Sequence, residues 1–471
     1  MSKLNWLQLV IACPLLVCAA SAVAQHNQQE NLDREFKSAV AQFDAGRFSQ
    51  AAVLLEDLLP RAQNSFEVHE LLGQAYSSLS QDDKAIEQLQ VAVRLKPDSG
   101  PARTSLAATL LHAGKTESAG GQFRKALDLE PWNYDTNHNL GEFYIQAGNI
   151  QEALPFLEKA QVINSAAYDN GYDLATADLL TGRLAKATQL VEGLLLEKNT
   201  GELHDLLGQI EEKDGKFIAA ANEFQMAAHL DPSEENLFDW GSELLLHRTY
   251  EPATEVFEEA TKRYPSSPRL MIGLAMALDW RGRFDEAVKA LLKAADLNPS
   301  DARCYLFLSK AYDSSPNQAD EVIQRFKRYA ELQPGNAMAQ YYYAMSLWKG
   351  KRVGDPSLDL QTVESLLTKA IMLDNTLPDA HLQLGNLYAD QHKYAQSVPE
   401  YIRALELNPN LPDAHYRLGT DYVHMGQRDR AQKEFDVYQK LRAQHLAEVD
   451  KERAEVQQFV YEEKVASSTK P

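Results

Sequence analysis

A set of prolines returns along this chain at a nearly constant interval: Pro97, Pro131, Pro232, Pro265, Pro299, Pro334 and Pro409. The first two are 34 residues apart, and two more periods pass through Ser165 and Asn199 before Pro232. The following steps are 33, 34 and 35 residues. A fixed period of this length marks a chain made of stacked copies of one small unit. Several prolines close the same phrase, as in Val93-Arg94-Leu95-Lys96-Pro97, Leu127-Asp128-Leu129-Glu130-Pro131 and Leu405-Glu406-Leu407-Asn408-Pro409.

Other residues keep step with that ruler. Leu72-Gly73-Gln74-Ala75-Tyr76 returns as Leu140-Gly141-Glu142-Phe143-Tyr144, Leu384-Gly385-Asn386-Leu387-Tyr388 and Leu418-Gly419-Thr420-Asp421-Tyr422. Seven residues after the small position a glycine often follows: Gly114, Gly148, Gly182, Gly215, Gly282, Gly426. Alanines then come in pairs seven apart, such as Ala85 and Ala92, Ala119 and Ala126, Ala153 and Ala160, Ala220 and Ala227, Ala253 and Ala260, Ala287 and Ala294. The small residues allow two antiparallel helices to approach closely. Leucine and the aromatic four residues on share a helix face and fill the space beside that contact. The later glycine permits the left-handed turn that ends the first helix, and the proline stops the second.

With these elements in phase, the sequence resembles the tetratricopeptide repeat family over residues 31–443, about twelve units. The resemblance implies an all-α fold, a right-handed superhelical solenoid of helical hairpins. It departs from the family where a tryptophan often stands early in the repeat, since His69, Asn137 and His415 stand near that place. The unit from Phe36 to Leu59 and the stretch Ala166 to Asn199 lack several signature positions. Between Trp348 and Val363 the frame slips by about seven residues through Gly350 to Pro356, which is read as a longer inter-helix loop. Residues 444–465 are charged and helix-prone, with an apolar stripe of Leu446, Val449, Val456 and Val460, and are expected to form a helix capping the last repeat. The final 466–471 are expected to be disordered.

The first 24 residues read as a secretory leader: Lys3, an apolar run from Trp6, and Ala22-Val23-Ala24 before Gln25. The expectation is an exported protein, periplasmic or secreted, with no membrane span once the leader is removed; an uncleaved anchor or a lipidated Cys13 is the lesser reading. Of 471 residues, 44% are hydrophobic and 24% charged, the balance of a folded chain. The net charge of −20 leaves no basic stripe for nucleic acid and argues against an anionic membrane surface.

No catalytic chemistry is legible, and no cofactor or metal is expected. Cys304 is the one cysteine beyond the leader, which makes no intramolecular disulfide and no thiolate zinc site. Gly114-Lys115-Thr116 resembles the end of a phosphate loop, but Thr109 stands where that motif needs its first glycine. His138 and Glu142, four apart on one helix face, could act as two metal ligands but equally as an ordinary solvated pair.

In the family that the sequence resembles, the first helices of successive repeats line a concave groove that commonly receives a peptide or partner helix. Counted from the small positions, the early groove shows Glu67, Glu70, Asp135, Glu142, Glu202, Asp205 and Glu212. The later groove shows Phe238, Met276, Trp280, Tyr341, Met345 and Trp348, the expected anchors of an interface. The competing reading packs these side chains between helices. Asn386 and Arg417 are too little to make the family's carboxylate clamp. The function expected is a scaffold that holds a protein or peptide, a second copy of the chain being another occupant that such a groove admits. The rivals are a membrane-associated envelope-assembly factor for a pilus, polysaccharide or outer-membrane system, and an enzyme with a site built across repeats.

Overall fold

A computed structural model describes residues 30–314, 316–350 and 359–444. The leader, most of the inserted loop before Leu360, the helix expected at 444–465 and the tail lie outside the described residues, except for residue 444 itself. The described residues form two compact units, divided after Asp231, and hold helices without a strand.

In the first unit the helices pair as hairpins. They are α1 (30–44) with α2 (Phe48–Leu58), α3 (Phe66–Ser78) with α4 (Asp82–Leu95), and α5 (Gly100–His112) with α6 (Thr116–Leu129). Then come α7 (Tyr134–Gln146) with α8 (Ile150–Ile163), α9 (Tyr168–Leu180) with α10 (Leu184–Glu197), and α11 (Gly201–Lys213) with α12 (Phe217–Leu230). The second unit continues with α13 (Glu234–Leu246) and α14 (Tyr250–Arg263), α15 (Pro268–Trp280) and α16 (Phe284–Leu297), and α17 (Ala302–Ser314) and α18 (Ala319–Leu332). It ends with α19 (Ala337–Gly350) and α20 (Leu360–Leu373), α21 (Pro378–Asp390) and α22 (Tyr394–Leu407), and α23 (Pro412–His424) and α24 (428–444). This run is consistent with the roughly twelve units that the repeat elements imply.

The hairpin closes where the sequence is smallest. Gly141 on α7 faces Leu157 on α8 so closely that a Cβ would fall 2.4 Å from the leucine. The paired alanines of the second helices, Ala153 and Ala160 among them, are fully buried in that seam. Several first helices begin on capping side chains: Ser99, Asn133 and Ser267 accept from the backbone N–H three residues on, Asn133 from Thr136 at 2.9 Å. They end in a left-handed residue, Gly148 at φ +75°, for which glycine carries no steric cost. Ser80, Arg248 and His392 take that same position with positive φ although each has a Cβ. Gly114 is one of these turn glycines, at φ +72° between α5 and α6, so the Gly-Lys-Thr phrase is a helix turn.

The fourth position of the first helix, without its tryptophan, carries a polar clasp. His415 Nε2–H donates to Pro409 O at 3.0 Å, and Nδ1 meets Glu434 Oε2 at 2.6 Å. His69 does the same with Gln63 O at 2.9 Å and Gln88 Oε1 at 2.8 Å. Arg103 and Asn137 donate to Pro97 O and Pro131 O, and the Tyr305 hydroxyl to Pro299 O. The carbonyl of the ruler proline is thus satisfied by the helix that follows, which fixes how the loop enters it. The stretch 166–199, irregular in sequence, folds as the regular hairpin α9/α10, with Ala175 and Ala187 fully buried.

Candidate binding surface

Along the first helix of each hairpin, the second, fifth, ninth and last positions hold the groove candidates, and their exposure varies from repeat to repeat, with Ile272 and Met345 buried at the fifth and ninth. In the second unit, Trp280 ends α15 and is 64% exposed. Its ring stacks parallel to that of Tyr250, the first residue of α14, at 5.3 Å between centroids. That stack removes rotational freedom from a large exposed aromatic. Leu246, 65% exposed, holds the same terminal position on α13. Phe238 is half-buried on α13, edge-on to Phe257, with the Arg269 guanidinium 5.0 Å from its ring centre. Arg269 also binds Glu234 at 2.8 Å, and the Ser267 hydroxyl together with that guanidinium holds the Glu234 carboxyl below its ordinary range.

The other candidates sit deeper. Met276 is half-buried against the core of α15 to α18. Met345 is buried at 8% exposure in the cluster between α19 and α20, with Tyr341 and Trp348 half-buried against it. Burial pushes the Tyr341 phenol far up, as do Asp379 and Asp313 near it. Tyr341, Met345 and Trp348 are therefore brought together, whereas Phe238 and Trp280 each engage partners of their own. Asn386 is taken up by helix packing, accepting from the Tyr401 hydroxyl at 2.8 Å. Cys304 is fully buried and its thiol is pushed up to about 11, chiefly by that burial, which leaves it a poor nucleophile.

In the first unit the same face is acidic and lined with tyrosines. Glu70 on α3 is raised by burial, against the pull of Lys96. On α7, α9 and α11, Tyr134, Tyr168 and Tyr172 stand among Asp135, Glu142, Asp169, Asp173, Glu202 and Asp205. Tyr172 is pushed up to about 12 by burial first, then by Glu202 and Asp205. The α9 members, Asp169, Tyr172 and Asp173, are absent from the sequence-derived face because that repeat lacks its signature. Counting back from Ala175 as the small position would have found Asp169 and Tyr172. Tyr250, the partner of Trp280, has no groove signal, since it opens a second helix.

The fold and this outward face define a helical-hairpin repeat protein. Family models described as "Tetratricopeptide repeat" match residues 36–100, and 110–164, 146–210 and 244–312; one described as "TPR repeat" matches 385–426. Together these span more than half the chain, and it belongs to the tetratricopeptide repeat family. Among curated proteins it is 23% identical over 210 residues to human Protein O-mannosyl-transferase TMTC1, a match covering 44% of this chain and 22% of that one. It is 22% identical over 232 residues to Hsp70-Hsp90 organizing protein 1 of Glycine max, covering 47% of this chain and 39% of that one. The chain thus spans well under half the length of these relatives. Solved structures that it resembles include pilF of Pseudomonas aeruginosa, at 19% identity and TM-score 0.38, covering 44% of this chain and 94% of that one. Cut9–Hcn1 of the APC/C matches at 14% identity and TM-score 0.37, covering 86% and 92%. Among the described residues no helix is long and apolar enough to cross a membrane.

Proposed function

We propose that this protein is an exported scaffold that binds a protein or peptide partner through the first-helix face of its second unit. The observation that carries the reading is Trp280, a large aromatic 64% exposed yet held flat against Tyr250. A rigid, exposed tryptophan gives an interface much apolar area at little entropic cost, which is why such residues dominate binding energies. Leu246 one repeat earlier and Phe238 under Arg269 extend apolar surface along the same helix face. Repeat stacks suit this work because each unit contacts its neighbours and leaves an extended face free. The soybean relative is named for organising two other proteins, a role of the same class. Export rests on the leader pattern from Lys3 to Ala24.

The test replaces Trp280 with a photo-crosslinking amino acid in cells, identifies the trapped protein, and measures its affinity for wild-type and Trp280→Ala chains. The variant is expected to weaken the complex by about 2 kcal/mol, roughly 30-fold, with thermal stability little changed. Equal affinity in the two chains would remove Trp280 from the interface and the proposal with it. Export is checked in the same cells: the mature chain should begin at Gln25 and fractionate outside the cytoplasm, and an intact leader in the cytosol would rule export out.

A further inference from the structure

In the first unit three side chains of metal-ligating type converge. His138 and Glu142 stand one turn apart on α7 and project from one face, and Asp173 reaches them from α9. One ligand atom from each lies within 4.8 Å of the others. We propose that His138, Glu142 and Asp173 form a site for a single divalent ion of the zinc class, which bridges α7 and α9 across the boundary between two hairpins.

The donor set chooses the ion. An imidazole nitrogen with two carboxylate oxygens suits zinc and its borderline neighbours, whereas magnesium and calcium prefer oxygen alone. Ligand atoms around a tetrahedral zinc stand roughly 3.3 Å apart, so small rotations of three side chains close the site. The imidazole is already positioned from outside the cluster. Asn170 is fully buried, its amide N–H groups donating to Leu157 O at 3.1 Å and Gln161 Oε1 at 2.9 Å. Its carbonyl oxygen is thereby turned toward His138 Nδ1, 3.3 Å away, while the Tyr134 ring stacks on the imidazole at 5.6 Å. With Nδ1–H given to that carbonyl, Nε2 is the ring nitrogen left for the ion, and an outer-shell carbonyl of this kind is what metal-binding histidines ordinarily have.

The field at the site favours a cation. Glu142, Asp169 and Glu202 hold their negative charges close to Asp173. Among the described residues, His138 is the one base within ion-pair distance of Asp173, at 3.8 Å. A dication relieves that repulsion more fully than a single imidazole can. His138 is 15% and Asp173 27% exposed, enough for an ion to enter and for water to complete its coordination. The site stands independently of the partner reading, which rests on the second unit.

The full chain, stripped with a chelator, is titrated calorimetrically with zinc chloride near neutral pH. The expected result is one saturable site that weakens at least about tenfold in His138→Ala and in Glu142→Gln. Zinc should also raise the melting temperature of the wild type and not of the variants. Cobalt(II) should give a visible absorption band that His138→Ala loses. The proposal falls if the wild type shows no saturable zinc binding. It also falls if His138→Ala and Asp173→Asn, both helical by circular dichroism, bind zinc as tightly as the wild type. Equal affinity for magnesium would overturn the choice of ion.

Discussion

The position where this family often places a tryptophan shows how one residue type can do another's structural work. His415 is buried, and both ring nitrogens reach oxygen, one on the ruler proline's carbonyl and one on helix α24. His415→Ala would strand Pro409 O and Glu434 together, and a cost of about 1–3 kcal/mol is expected in chemical unfolding. A second residue-scale prediction concerns Asp173. Its folded-state pKa, raised to about 6 from an ordinary 3.8, means that the folded chain holds this proton more tightly than the unfolded one. The contribution is fully present below the unfolded value and is lost as pH rises through about 6. In metal-free buffer, Asp173→Asn should therefore match the wild type near the low end of that window. It should exceed it in stability by roughly 1–2 kcal/mol above the high end, after allowance for the group's partial exposure. Melting curves of both proteins across the window check this. A gap that shrinks as pH rises would contradict it.

At the scale of the helix pair, the seam and the turn make opposite demands on glycine. At Gly208 a Cβ would stand 2.9 Å from the Phe224 ring, so Gly208→Val overfills the seam of α11/α12 and should cost about 1–3 kcal/mol. At Arg248 the demand is conformational: φ is +59° and the residue is exposed between α13 and α14. Arg248→Gly relieves the left-handed strain and should stabilise the second unit by up to about 1 kcal/mol, seen as a higher melting temperature. These devices also explain what was legible beforehand. The small positions, paired alanines and turn glycines recur because backbone approach and φ have few chemical solutions, so they give the fold away. The hairpin α9/α10 was harder to read because its usual small position is an alanine, Ala175, while its glycine, Gly171, stands four positions earlier against Leu194. The binding face is less legible still: Met345 and Trp280 both fall on the groove count, yet one is buried and the other is 64% exposed. Neighbouring helices decide that difference, and the stack of Trp280 on Tyr250 depends on a residue from the preceding hairpin.

For each unit as a body, cohesion is assembled from seams between consecutive helices. In the second unit the cores of α15 to α19 and of α21 to α24 form separate clusters, joined by way of α19, α20 and α21. Stability in such an array is a sum of repeat and nearest-neighbour terms, and damage to one seam should spread only as far as its neighbours. Gly385→Leu tests this, because Tyr401 fills the space that the new side chain would need, 2.7 Å from the Cβ position. Hydrogen exchange should rise across α21 to α24, and less in α19 and α20. The amides of α3 to α12 should keep their wild-type protection, because no seam of the first unit contains the altered residue. A single globular core would respond otherwise, with protection lost everywhere to the same degree. Uniform loss across both units would mean that the chain unfolds as one cooperative body, and the nearest-neighbour account of its stability would have to be abandoned.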